Sequence, residues 1–282
     1  MKVKFWGTRG SIAAPGKDTI VYGGNTCCVE ILLNCGVTVI IDSGSGIRPL
    51  GDHLMATRET VDVHLLMTHV HWDHVQGFPF FDPVFKPTTR IAVDGAPRCI
   101  KGLRAIFDSG IGDGFFPIRF EHLRADIRYL DQLRYGPLKI ENTTITTVPL
   151  QHPQGGFGFR FEEDGKSFVF ITDNELTRKI WRGKRIEDFV PFCRDADILV
   201  HDAQFLPEEI ETYRGWGHSD YSTALELAMK AGVKHLMLFH HEPSRTDKAE
   251  ALIEKKCREL AADHNADIKI EAAREESELI LE

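Results

Sequence analysis

The stretch TVDVHLLMTHVHWDHVQGFPFF, residues 60–81, decides the reading of this chain. Residues 61–68 begin as an alternating apolar pattern and end as a continuous apolar run, which predicts a strand leading into the interior. Directly after it stand three histidines and an aspartate: His69, His71, Asp73 and His74. His69 and His71 are spaced so that both side chains converge as the strand turns. Asp73 and His74 open the next turn or helix and point to an adjoining position. Imidazole nitrogens with a carboxylate oxygen suit zinc or another borderline metal better than magnesium or calcium, which prefer all-oxygen shells. Four donors are too few for two ions, so distant segments must supply the rest.

The same rhythm nominates them. Elsewhere an apolar run again ends in a polar residue: His152 after VPL, Asp173 after FVFIT, His201 and Asp202 at the end of ADILVHD, and His240 after LMLF. A buried strand holds such a residue with little slack, as a chemical site requires. His152 completes a first group with His69 and His71. Asp73, His74 and His240 build a second, and Asp173 is placed to bridge the two. His240 is preferred to its neighbour His241 because it lies at the strand end. Two ions about 3.5 to 4 Å apart can clamp the attacking and leaving oxygens of a displacement. The implied cofactors are two divalent ions per chain, zinc first, with manganese or iron compatible with the same donors.

Working outward, strands are predicted at 3–5, 27–33, 37–42 and 90–95, one long run at 139–150, and a hairpin over 157–172. ADILVHDAQF at 196–205 is another strand. A helix over 222–232, capped by Ser219, Asp220 or Ser222 and stopped at Gly232, leads to a strand at 233–240. A helix over 246–265 and a strand at 268–273 follow. Two halves, about 1–140 and 141–282, each supply strands followed by helices, with hairpins mixed in. That order predicts a single α+β domain of two packed sheets covered by helices. Residues 96–136 have a different texture and read either as a cap over the site, with Phe115, Phe116 and Pro117 at its tip, or as ordinary surface packing.

The 282 residues carry a formal net charge of -8, so the average surface repels a long polyanion. Bulk nucleic-acid binding is disfavoured, whereas a small anionic substrate is not. The six cysteines form no CxxC pair, which fits a reducing compartment. MKVKFWGTRG does not resemble a signal peptide, and no apolar run is long enough to span a membrane, so the expected location is the cytoplasm. The glycine-rich DSGSGI at 42–47 lacks both the lysine of a P-loop and the GxGxxG order of a dinucleotide site. Basic residues near these segments are Arg9, Lys17, Arg48 and Arg245, of which Arg48 and Arg245 are the substrate-binding candidates.

THVHWDH, with His152, Asp173 and His240, resembles the metallo-β-lactamase superfamily over essentially the whole chain. The resemblance implies a four-layer αββα sandwich with a dinuclear site at one edge, and it supports the same ligand set. FWGTRGS at 5–11, YGGNTCCVEI at 22–31 and IIDSGSGI at 40–47 look most like the ribonuclease Z and cyclic-phosphodiesterase branch. In that branch ADILVHDAQF and GWGHSDYSTALELA match segments that carry an acidic residue and a histidine, here Asp202 and His218. The resemblance implies that Asp202 supports His218 near the leaving group. The long arm by which ribonuclease Z grips transfer RNA is not evident, and Asp220 and Tyr221 replace the family's usual threonine after the histidine segment.

These readings converge on a dinuclear metal-dependent hydrolase acting on small or cyclic phosphodiesters. Asp73, His218 and Asp202 are its catalytic candidates. The alternatives are a thioester or lactone hydrolase on the same scaffold and a ribonuclease Z-like transfer-RNA endonuclease. A homodimer is compatible with the resemblance.

Overall fold

The computed structural model describes residues 1–96, 117–176 and 184–282. The strand that decides the reading is β4, Asp62–Met67, exposed at its first residue and fully buried over its last three. It lies in a sheet with β1 (Lys2–Gly7), β2 (Cys28–Leu32), β3 (Thr38–Ile41), β5 (Arg90–Gly95) and β6 (Asp126–Tyr129). The second sheet takes β7 (Leu138–Ile140), β8 (Thr143–Pro149), β9 (Phe157–Glu163), β10 (Lys166–Ile171), β11 (Ile198–Asp202), β12 (His235–Phe239) and β13 (Lys269–Ala272). A last strand, β14 (Glu278–Ile280), returns to the first sheet beside β1.

The strand orders are β14-β1-β2-β3-β4-β5-β6 and β13-β12-β11-β10-β9-β8-β7. Pairing is parallel from β3 to β6 and from β10 to β13, and antiparallel elsewhere. Ligand-bearing loops in such mixed sheets gather beyond the carboxyl ends of the parallel strands.

Three apolar layers hold the fold. Phe5, Val29, Ile31 and Ile41 of the first sheet meet Phe159, Phe161, Phe168, Phe170 and Phe239 of the second, all 0% exposed. Complete burial of such a side chain contributes about 1.5–3 kcal/mol relative to exposure, which makes this inter-sheet layer a large favourable term. Outside the first sheet, α1 (Ile47–Thr57) packs Ile47, Leu50 and Leu54 in one cluster with Ile40, Leu65 and Val93. Outside the second, α3 (Ile186–Cys193), α4 (Tyr221–Ala231) and α5 (Asp247–Asp263) share a cluster with Val169, Leu199 and Leu236. Helix, sheet, sheet, helix is the four-layer α+β sandwich expected from the resemblance. Among the described residues no helix is long and apolar enough to cross a membrane.

Local chemistry sets the boundaries. Asp220 caps α4 by accepting the N–H groups of Ser222 at 2.8 Å and Thr223 at 3.1 Å, and Gly232 ends it in the left-handed region at φ 68°. The run at 139–150 is not one strand: Glu141 at φ 47° folds it into the β7–β8 hairpin. Of the proposed cap, residues 97–116, with Phe115 and Phe116, lie outside the described residues. Part of the remainder is β6, an edge strand of the first sheet.

Candidate metal centre

Apolar strands deliver the polar residues to one edge. Asp42 follows β3, His69 follows β4, His152 follows β8, Asp173 follows β10 and His240 follows β12, while Asp202 closes β11. Three of these turn sharply as they leave the sheet, with φ of 60° at Asp42, 52° at Asp173 and 61° at His240. Left-handed backbone is costly for a residue bearing a Cβ and persists where the surroundings over-determine it. Asp73 and His74 sit on a single helical turn, α2 (Trp72–Val75), directly after His71.

The side chains converge as two groups. His69, His71 and His152 offer nitrogens within 4.8 Å of one another, as do the donor atoms of Asp73, His74, Asp173 and His240. Asp173 joins the groups. Its Oδ1 lies 3.7 Å from Nε2 of both His69 and His152, and its Oδ2 lies 3.3 Å from Nε2 of both His74 and His240. Asp73 Oδ2 is 3.4 Å from His74 Nε2 and 3.3 Å from His240 Nε2.

These contacts fit a metal centre better than a set of hydrogen bonds. Nε2 of His69 and His74 are buried without a hydrogen-bond partner. A buried unpaired nitrogen is expensive, and a cation among these nitrogen and oxygen donors removes the cost. The clusters are compatible with one or two divalent ions.

Supporting groups fix the rings from the far side. His74 Nδ1 meets Asp42 Oδ2 at 2.8 Å, His240 Nδ1 meets Gln204 Oε1 at 2.9 Å, and His152 Nδ1 meets the Gly217 carbonyl at 3.0 Å. Each contact leaves Nε2 facing the cluster, the usual role of groups behind metal-ligating histidines. Asp42 also accepts the Thr68 N–H and hydroxyl, both at 2.7 Å, and Thr68 Oγ1 lies 3.0 Å from His69 Nδ1. The β1–β2 loop presses against the other side. Ser11 N–H donates to Asp73 Oδ2 at 2.7 Å, and a Cβ on Gly10 would sit 2.3 Å from His240 Nδ1, so only glycine fits there.

The two groups differ in proton affinity. Burial pushes His69 well below the usual imidazole range, lowers His71, and takes His152 down to about 4. Burial acts the same way on His74 and His240, but the Cys27 sulfur and the carboxylates of Asp73 and Asp173 outweigh it and hold both well above that range. Although burial pushes Asp73 and Asp173 up, the imidazoles of His74 and His240 hold both well below the ordinary carboxylate value.

Beside the cluster, His218 Nδ1 lies 2.6 Å from Asp202 Oδ2, and its ring stacks on His240 at 4.8 Å with 19° between planes. His218 is 8% exposed. His201 turns away, to the Asp202 carbonyl and Asn174. His241 also points elsewhere, toward Glu250 and the Ala273 carbonyl.

The basic candidates do not gather with these residues. Arg48 pairs with Asp52 on the exposed side of α1, and Lys17 is exposed in the first loop. Arg245 is committed to the Gln204 carbonyl and the Glu209 carboxylate. Arg9, fully buried, donates to the carbonyls of Gly23, Glu242 and Arg245. Sequence reasoning passed over Asp42, although it ends the apolar run VTVII as the chosen residues end theirs. Gln204 and the Gly217 carbonyl carry no such signal.

Comparison with known proteins agrees with this geometry. Residues 30–241 match the family described as Beta-lactamase superfamily domain. Ribonuclease Z of Sulfurisphaera tokodaii is 28% identical over 231 residues, 67% of this chain and 73% of that protein. Ribonuclease Z of Halalkalibacterium halodurans is 22% identical, covering 90% of this chain and 92% of its own. In three dimensions the metallo-beta-lactamase fold protein YhfI from Bacillus subtilis aligns with a TM-score of 0.70 at 16% identity, covering 99% of this chain and 98% of YhfI. With this match, the shared fold and the paired ligand groups, the chain belongs to the metallo-β-lactamase superfamily of metal-dependent hydrolases, and its likeness converges on the ribonuclease Z and phosphodiesterase branch.

Proposed function

We propose that this hydrolase cleaves phosphodiesters, with RNA cut in the manner of ribonuclease Z as its first reading. The observation that carries it is the buried Asp202–His218 pair at 2.6 Å, set beside the two ligand groups. His69, His71 and His152 would hold one ion, Asp73, His74 and His240 the other, and Asp173 would give an oxygen to each. Zinc is the proposed metal, since imidazole and carboxylate donors suit it. When bound, such ions supply an activated water and neutralise charge on the phosphoryl oxygens.

The chain's own part is proton transfer and orientation. Asp202 occupies Nδ1 of His218 and fixes the ring, leaving Nε2 to carry a proton to the departing oxygen. Buried carboxylate and imidazole groups already held in place need no reorganisation as charge builds on phosphorus. The names of the curated relatives favour the RNA reading over the small cyclic substrate expected from composition: the eight considered, 22 to 28% identical, are all ribonuclease Z.

The net charge of -8 favours the second reading, a small or cyclic phosphodiester. Metal analysis combined with turnover of a 3′-extended transfer RNA, a cyclic nucleotide, bis(p-nitrophenyl) phosphate, a carboxylic ester and a thioester tests both. RNA cleavage that stops on chelation supports the first reading. Cyclic-nucleotide turnover without RNA cleavage selects the second, and ester or thioester turnover alone overturns phosphorus chemistry.

A further inference from the structure

The segment LPEEIETYRGWGHSD, residues 206–220, runs against His152 of the metal centre at Gly217 and carries an open aromatic ring on the adjacent residue. Trp216 is 61% exposed, yet its backbone is tightly held. Glu175, two residues beyond Asp173, accepts the N–H groups of Gly215 at 2.9 Å and Gly217 at 3.0 Å, and the Gly217 carbonyl bonds His152. Gly217 adopts φ 90°, and a Cβ there would meet His152 Nδ1 at 2.0 Å, so the loop is fixed against that histidine.

The ring is braced as well. Tyr213 meets Trp216 at 5.2 Å and 74°, Phe205 stacks on Tyr213 at 4.5 Å and 6°, and Phe205 meets His218 edge-on at 5.8 Å. An aromatic series therefore runs from His218 to the exposed indole. Isolated apolar residues on a surface are ordinary. An indole anchored through one neighbour to a candidate metal ligand, and through its ring to His218, is a prepared contact surface. A second exposed indole, Trp72 at 57%, lies between His71 and Asp73 in the chain, while Trp6 is buried.

We infer that Trp216 is a stacking platform for a nucleobase next to the scissile phosphate, an inference that rests on the phosphodiester reading above. Arg9 and Arg245 are committed to protein groups, so grip on a nucleotide must come from contacts other than their charges. Base stacking on an aromatic ring is tolerant of sequence and serves RNA and cyclic nucleotides alike.

The test uses the metal-loaded protein with adenosine monophosphate and inorganic phosphate as probes, bound by calorimetry and followed by tryptophan fluorescence. Trp216→Ala is expected to weaken adenosine monophosphate binding by roughly 5- to 150-fold while phosphate binding holds within about twofold, and Trp216→Phe to retain most of the affinity. Unchanged nucleotide binding, or equal loss for both probes, overturns the platform. Should Trp216→Ala fail to fold, Trp216→Leu, apolar but without a ring, must show the same selective loss. A dinucleotide and a cyclic nucleotide as competitors tell the two substrate sources apart. Selective loss in a protein that turns over no phosphodiester would reject the proposed function while leaving the platform standing.

Discussion

Asp42 Oδ2 and His74 Nδ1 lie 2.8 Å apart, and neither side chain reaches solvent. The contact fixes which nitrogen of His74 faces the cluster, so Asp42→Ala should cost roughly 10- to 100-fold in metal affinity at the group containing His74. Asp42→Asn, which keeps an acceptor, should recover part of it. Competition with a graded chelator measures both, and equal affinity in wild type and Asp42→Ala would reject the supporting role.

Asp73 contacts His74, His240 and the Ser11 N–H through one oxygen. Replacing it by asparagine preserves shape and removes charge. Asp73→Asn should keep the fold, lose metal from the second group and abolish most turnover. A variant with unchanged turnover and unchanged metal content would show that Asp73 is neither ligand nor catalyst.

His218→Ala should leave metal content intact and lower phosphodiester turnover by about 10² to 10⁴, the usual contribution of acid–base help. His218 also stands within ligand distance of His152 and Asp173. Elemental analysis therefore decides its role: loss of an ion in this variant would make it a ligand instead.

The two groups should release metal at different pH. A metal needs neutral imidazoles, and protons compete wherever the metal-free pKa is high. His74 and His240 are raised well above the usual range, so protons displace metal there first as pH falls; His152, at about 4, resists until far lower pH. Metal content after dialysis across a pH series should fall in two steps. A single step removing both ions together would contradict the asymmetry.

Much of this centre was legible in sequence because strands impose it. A buried strand has to end somewhere, and His69, His152, Asp173 and His240 mark such ends with polar residues. Where side chains finish depends on folding that spacing does not record. Arg245 lies close to His240 in sequence yet turns to Glu209, and Arg48 follows the glycine-rich loop yet turns to Asp52. Helix α1 was missed because Pro49 and Gly51 interrupt its propensity, and its burial against Phe81 and the first sheet compensates. Strand β14 was missed because three residues among charges carry no pattern, and its strandhood comes only from β1.

The pairing of β14 with β1 also orders the folding of the chain. Val3 pairs with Leu279, so β1 stays an open sheet edge until Glu278–Ile280 has emerged from the ribosome. His74 and His240, whose rings stack at 5.7 Å, likewise meet only after the second sheet exists. Such distant partners give the fold a high contact order and a slow final closure, during which the uncovered β1 edge is open to pairing with another nascent chain.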